Sequence, residues 1–275
     1  MNNNNITATA IITGQQQYFT TADGVRIAWQ LDGEEDKPVV VLSNSIATDY
    51  HMWDAQIAAF TPHFRVLRFD TRGNGASGSP AGDYSINRMS IDVIELLDHL
   101  GFDRVHFIGL SLGGFIAQYI AIHMPERIDK LILAHTAAHL GPQDGFNNNI
   151  KSLREHADMA PFAQMFIRNW FPEKLISAND ARIQPFREVI LAMSPTGLAG
   201  SFAAVRDSDL RNTAPLITHR TLVIGGDNDT VTLPEHSVYL AESIPDAQLV
   251  MLPAVHLSNV ELAEDFNRIA LYFLQ

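Results

Sequence analysis

Residues 107–114 read FIGLSLGG, and within them Gly109-Leu110-Ser111-Leu112-Gly113 fits the pattern G-x-S-x-G. The apolar run Val105–Gly109 reads as a buried strand, and the apolar, small-residue stretch after it reads as a helix. A serine between the two sits on a tight strand-to-helix turn with its Oγ projecting above the sheet. The flanking positions are glycine because a Cβ would clash at such a turn. The plain alternative, a Gly-rich turn with an incidental serine, leaves strand, motif and helix coinciding by chance. The helix N-terminus behind Ser111 favours negative charge, and the amide of Leu112 can point at an oxyanion.

A serine hydroxyl is a weak nucleophile at neutral pH, so it needs a base, and the base needs an orienter. When the serine sits on this kind of turn, the acid and then the histidine follow it in the chain. Of the eleven histidines only His219, His236 and His256 lie beyond the strand-free stretch that ends near Leu216. His219 leads into a strand and His236 falls in a helical stretch. His256, in the loop Pro253-Ala254-Val255-His256, lies between the last strand and the last helix, at the sheet edge that carries Ser111. The acid belongs after a strand between the two, and Gly225-Gly226-Asp227-Asn228-Asp229 follows the run Thr221–Ile224. Either aspartate could serve. Asp229 is preferred because it leaves the glycine pair free to make the turn, with Asp227 as a turn residue.

The second oxyanion donor on such a sheet comes from a loop after an earlier strand. The loop LSNSIATDYHMW, residues 42–53, is the best placed, with Ile46 the main candidate donor and Ser45 the lesser one. The next loop, Asp70-Thr71-Arg72-Gly73-Asn74-Gly75, buttresses it. Arg72 either holds a substrate carboxylate or ties loops together. His135 and His139 have i,i+4 spacing, but they follow a strand and lack the adjacent glutamate of a zinc-protease helix, so no metal is expected.

Apolar β-branched runs alternate with helical patterns, the mark of an α/β fold with a mostly parallel sheet. Expected strands are Arg26–Leu31, Val39–Leu42, Val66–Phe69, Val105–Gly109, Lys130–Ala134, Thr221–Ile224 and Gln248–Leu252. A helix starts after Ser85 and closes at Gly101. The last helix starts at Ser258 with Glu261 three residues on, a capping-box pattern. From about Thr136 to Leu216 no strand pattern occurs, only helix-like stretches split by prolines. This predicts a helical cap, 137–213, inserted into a discontinuous core of 1–136 and 214–275, ahead of the acid-bearing strand. The cap would lie over the C-terminal strand ends, where open α/β sheets bind ligands.

The chain has 275 residues, 46% of them hydrophobic, 18% charged and none cysteine, which excludes disulfides and thiolate chemistry. The absence of cysteine suits a cytoplasmic protein. A net charge of −12 without a basic cluster argues against nucleic-acid and membrane partners. The start, MNNNNITATAIITG, lacks the basic region of a secretion signal and reads as a loose N-terminus.

The triad motifs resemble the α/β-hydrolase fold over most of the chain from Tyr18 onward. A narrower set, LSNSIATDYHMWDAQI, LRFDTRGNGAS, HTAAHLG, NWF, SPTGLAGSFAAVRDSD and AVHLSNVE, is similar to the 3-oxoadipate enol-lactonase family. Most α/β-hydrolases carry His-Gly where this chain has Asn44-Ser45. Ala47 stands where the family usually has Gly, Asn74 where it has His, and Leu112 where Met is frequent. The resemblance implies a cofactor-free serine hydrolase of the β-ketoadipate pathway whose small lactone or ester substrate carries a carboxylate. Trp170 resembles a family residue near the substrate, and it reads equally well as a core aromatic. Because the substrate is anionic, a cation should face the pocket, with Arg72, Arg168 and Arg206 as unranked candidates.

Overall fold

A computed structural model describes residues 14–275, so the reading of the first thirteen residues lies outside the described residues. One eight-stranded sheet organises the chain: β1 Gln17–Thr20, β2 Arg26–Asp32, β3 Val39–Ser43, β4 Arg65–Phe69, β5 Val105–Leu110, β6 Ile128–Ala134, β7 Arg220–Gly226 and β8 Gln248–Leu252. Their order across the sheet is β1-β2-β4-β3-β5-β6-β7-β8. From β4 to β8 all neighbours are parallel, while β1 and β2 add antiparallel strands at one edge. The central strands are buried on consecutive positions, as a sheet covered on both faces requires. β1 escapes sequence reading because it is a mostly exposed polar edge strand with no apolar run.

The core helices are α1 Asp54–Phe60, α2 Ile86–Leu100 and α3 Leu112–His123. In α2 the side chain of Ser85 accepts from the Arg88 amide, and Gly101 closes the helix at φ 73°. The segment between β6 and β7 holds five helices and no strand: α4 Gln143–His156, α5 Ala160–Trp170, α6 Glu173–Ser177, α7 Gln184–Ala192 and α8 Pro195–Arg206. Phe166 of α5 stacks on Phe202 of α8 at 5.9 Å. The α8 end of this layer rests on the core, where the Tyr84 amide donates to the Gly200 carbonyl at 3.2 Å. Among the described residues no single helix is long and apolar enough to cross a membrane.

After β7 come α9 Pro234–Ser243, α10 Ser258–Glu261 and α11 Ala263–Leu274. The expected single last helix is thus two, broken at Leu262. The capping box is absent too. The Ser258 hydroxyl pairs with His135 Nε2 at 2.6 Å, and Glu261 accepts from the Val255 amide at 2.9 Å. Both side chains that the pattern assigns to the helix end hold the loop in front of it instead.

Candidate active site

Ser111 stands between β5 and α3 at φ 56°, ψ −114°, a backbone conformation that L residues rarely adopt. The strain is held by its surroundings. The Ser111 amide donates to the Ala134 carbonyl at 3.0 Å, and Thr136 Oγ1 donates to the Ser111 carbonyl at 2.8 Å. A Cβ on Gly109 would lie 2.2 Å from the Gly113 carbonyl oxygen, and one on Gly113 would lie 2.2 Å from that of Ser43. Both glycines are required by close backbone approach.

The β7 loop and the loop after β8 meet at the same sheet edge. His256 Nδ1–H donates to Asp229 Oδ2 at 2.8 Å, with both side chains fully buried. Asp229, not Asp227, reaches the histidine. Asp229 Oδ1 accepts from the amides of Val231 at 2.8 Å and Thr232 at 3.0 Å, and Oδ2 also accepts from the Thr232 hydroxyl at 2.8 Å. Burial alone would raise this carboxyl, but the charge of His256 and the hydrogen bonds from His135 and His256 outweigh it. They hold Asp229 far below the usual carboxylate range, so it stays ionised. With Nδ1 on the acid, His256 Nε2 is buried and has no hydrogen-bond partner among the described residues. That is the nitrogen a general base needs free.

His135 is the residue that sequence reasoning passed over. It follows β6 at φ 44°, is fully buried, and donates Nδ1–H to Asp229 Oδ2 at 3.1 Å. Burial lowers its pKa against the opposing pull of Asp229, which favours the neutral ring. His135 and His139 do not converge on one site, since His139 Nδ1 donates to the Ser208 carbonyl. His135, Asp229 and His256 do offer ligand atoms within 4.8 Å of one another, but hydrogen bonds account for that convergence. The one hint of His135 in the sequence was its place after a strand beside the serine strand.

The 42–53 loop is fixed from both sides. The Asn44 carbonyl accepts from the Gly113 amide at 2.9 Å, its Nδ2 donates to the Phe69 carbonyl at 2.9 Å, and its Oδ1 accepts from Trp53 Nε1 at 2.9 Å. The Ala47 amide donates to Asn74 Oδ1 at 3.0 Å, so the second loop does buttress the first. No acceptor is found among the described residues for the amides of Ile46 and Leu112, the two expected oxyanion donors. Ser45 is corrected as the lesser candidate, because its amide is spent on Met52 Sδ at 3.3 Å.

The cation candidates fare differently. Arg72 is buried, and its guanidinium grips Asp92 through Nε and Nη2, each at 2.6 Å, and Asp23 at 3.0 Å. This corrects its assignment to the substrate: the side chain is a tie between loops. Arg206 pairs with Asp83 and Asp207, and Arg168 is exposed. Trp170 is buried against Phe166, and its carbonyl accepts from the Leu257 amide at 3.4 Å, one residue beyond His256.

A carboxylate-bound histidine with a free Nε2, a serine on a strained turn at the same sheet edge and two unpaired amides are the parts of an acyl-transfer site. The alpha/beta hydrolase fold family matches residues 38–261. The chain belongs to that family. Over 247 residues, 90% of this chain and 92% of the relative, it is 36% identical to 3-oxoadipate enol-lactonase 2 of Acinetobacter baylyi. It is 34% identical over 247 residues to the protein named "Putative carbamate hydrolase RutD" of Stutzerimonas stutzeri, covering 86% of this chain and 92% of that one. Among solved structures, a hydrolase from Pseudomonas aeruginosa PA01 superposes with a TM-score of 0.93 at 49% identity, covering 95% of this chain and 98% of that one. The enol-lactonase from Burkholderia xenovorans LB400 does so with 0.91 at 35% identity, covering 94% and 99%. This member of the alpha/beta hydrolase fold family therefore resembles enol-lactonases both along its sequence and in three dimensions.

Proposed function

We propose that the protein is a serine hydrolase that opens the ring of 3-oxoadipate enol-lactone. The observation that carries this reading is the Asn44–Trp53 unit. Asn44 and Trp53, both within the stretch on which the resemblance to enol-lactonases rests, hydrogen-bond to each other and dock the oxyanion loop on the nucleophile turn. Ser111 Oγ attacks the lactone carbonyl carbon while its proton passes to His256 Nε2. The amides of Ile46 and Leu112 receive the oxyanion, a contribution of about 3 kcal/mol per donor. The ring C–O bond then breaks, the enol oxygen takes the proton from His256, and the enol ketonises. Water, deprotonated by His256, releases 3-oxoadipate from Ser111.

A second reading has its own observation. The only two buried arginines among the described residues, Arg68 and Arg72, are both occupied by aspartates. This pairing favours a neutral ester or carbamate. Steady-state turnover of the enol-lactone, an aryl ester and a neutral carbamate by the purified protein separates the two. The proposal expects kcat/KM on the enol-lactone to lead by an order of magnitude or more. A lead for the ester or carbamate establishes the second reading.

A further inference from the structure

The acid of the site carries two histidines. Asp229 Oδ2 accepts from His256 Nδ1 at 2.8 Å and from His135 Nδ1 at 3.1 Å, with the two rings 5.9 Å apart and steeply inclined. On its other side His135 Nε2 meets the Ser258 hydroxyl at 2.6 Å, and all four side chains are fully buried. The ionised carboxylate can only accept, so the ring's proton lies on Nδ1, aimed at Asp229, and Nε2 accepts the hydroxyl's proton. The backbone is shaped for this. The His135 amide extends the β6–β7 ladder to the Ile224 carbonyl at 2.8 Å, and a Cβ on Gly226 would lie 3.0 Å from His135 Cε1.

We propose that His135 is a positioning residue of the hydrolysis: held by Ser258, it fixes the Asp229 carboxylate and shares its charge, weakening that carboxylate's hold on the catalytic histidine. Asp229 has a fixed supply of lone-pair density, and five donors already draw on it. Removing one leaves a more basic carboxylate, which holds the imidazolium of His256 more tightly. Activity is then lost at higher pH on the acid side. The charged and titratable groups facing His135 are Asp229 from the β7 loop, and His256 and Glu261 from the segment after β8.

The inference rests on the proposed serine hydrolysis, and its test keeps the two apart. An asparagine at 135 places an N–H where Nδ1 stands, whereas leucine has the same shape and no donor. The assay is kcat and KM against pH on whichever ester or lactone the wild type hydrolyses, with melting temperature as a check on folding. For His135→Leu the acid limb of kcat/KM should move up by about half a unit or more. Its kcat should fall roughly tenfold with KM little changed, and His135→Asn should return both toward wild type. Equal profiles and equal kcat for the two variants overturn the proposal and leave a packing role. If His135→Leu does not fold, Ser258→Ala carries the test, because it releases Nε2 while the ring stays packed. A smaller shift in the same direction supports the proposal, and an unchanged profile overturns it. A wild type that hydrolyses nothing overturns the proposed function itself.

Discussion

At the scale of single residues, two positions set the strain and the ties around the site. Ala47 lies at φ 60° in the 42–53 loop, a left-handed conformation that favours glycine. A Cβ there costs about 1–2 kcal/mol in the left-handed region, partly offset by the greater freedom that glycine has when unfolded. Ala47→Gly is therefore expected to stabilise the fold by roughly 0.5 kcal/mol, read as a higher urea midpoint. An unchanged or lower midpoint means that the loop depends on the alanine methyl for packing. Arg72 decides between a tie and a substrate contact. Replacing it with methionine leaves the buried Asp92 carboxylate with Arg88 as its remaining guanidinium partner, so a loss of about 2 kcal/mol in stability is expected, with KM of the folded enzyme unchanged. A raised KM at near-normal stability would return Arg72 to the substrate.

At the scale of elements, the loop after β4 holds the 42–53 loop through Asp70 as well as Asn74. Asp70 Oδ1 accepts from the Tyr50 amide at 2.7 Å and Oδ2 from the Ala76 amide at 2.8 Å. Burial pushes its carboxyl up to about 7, so the folded state binds the proton more tightly than the unfolded chain does. Its contribution to stability is full below about pH 4 and is lost as pH rises through about 7. Asp70→Asn should flatten that decline. Chemical denaturation of both proteins at several pH values checks it, and parallel curves count against a raised Asp70. The same element shows what the sequence could convey. Strand-to-helix turns, apolar strands and capped helices announce themselves through local chemistry, which is why Ser111, Asp229 and His256 could be named. Partners far apart in the chain do not. The pairing of His135 with Asp229 spans 94 residues, and Asn259 Nδ2 donates to the Met52 carbonyl across 207. Ser258 and Glu261 misled because their spacing fits a cap while a tertiary partner claimed each of them.

At the scale of the whole molecule, eight strands bring three chain segments to one edge, and the helices between β6 and β7 touch two of the loops there. The Ser111 turn, the Asp229 loop and the His256 loop each follow a parallel strand, so the sheet itself sets their separation. The helical layer reaches the His256 loop through the Trp170 carbonyl and the Leu257 amide, and the loop after β4 through Ser201 and Asn74. Its helices meet through contacts such as Phe166 on Phe202, which no local spacing announces, so its arrangement was less legible than the core's. The most direct test of the whole account is the initial rate of 3-oxoadipate enol-lactone hydrolysis by the wild type and by Ser111→Ala at equal concentration of folded protein. The account expects rapid turnover by the wild type and a fall of at least about a thousandfold in the variant. Comparable rates for the two proteins, or no turnover by the wild type, would contradict it.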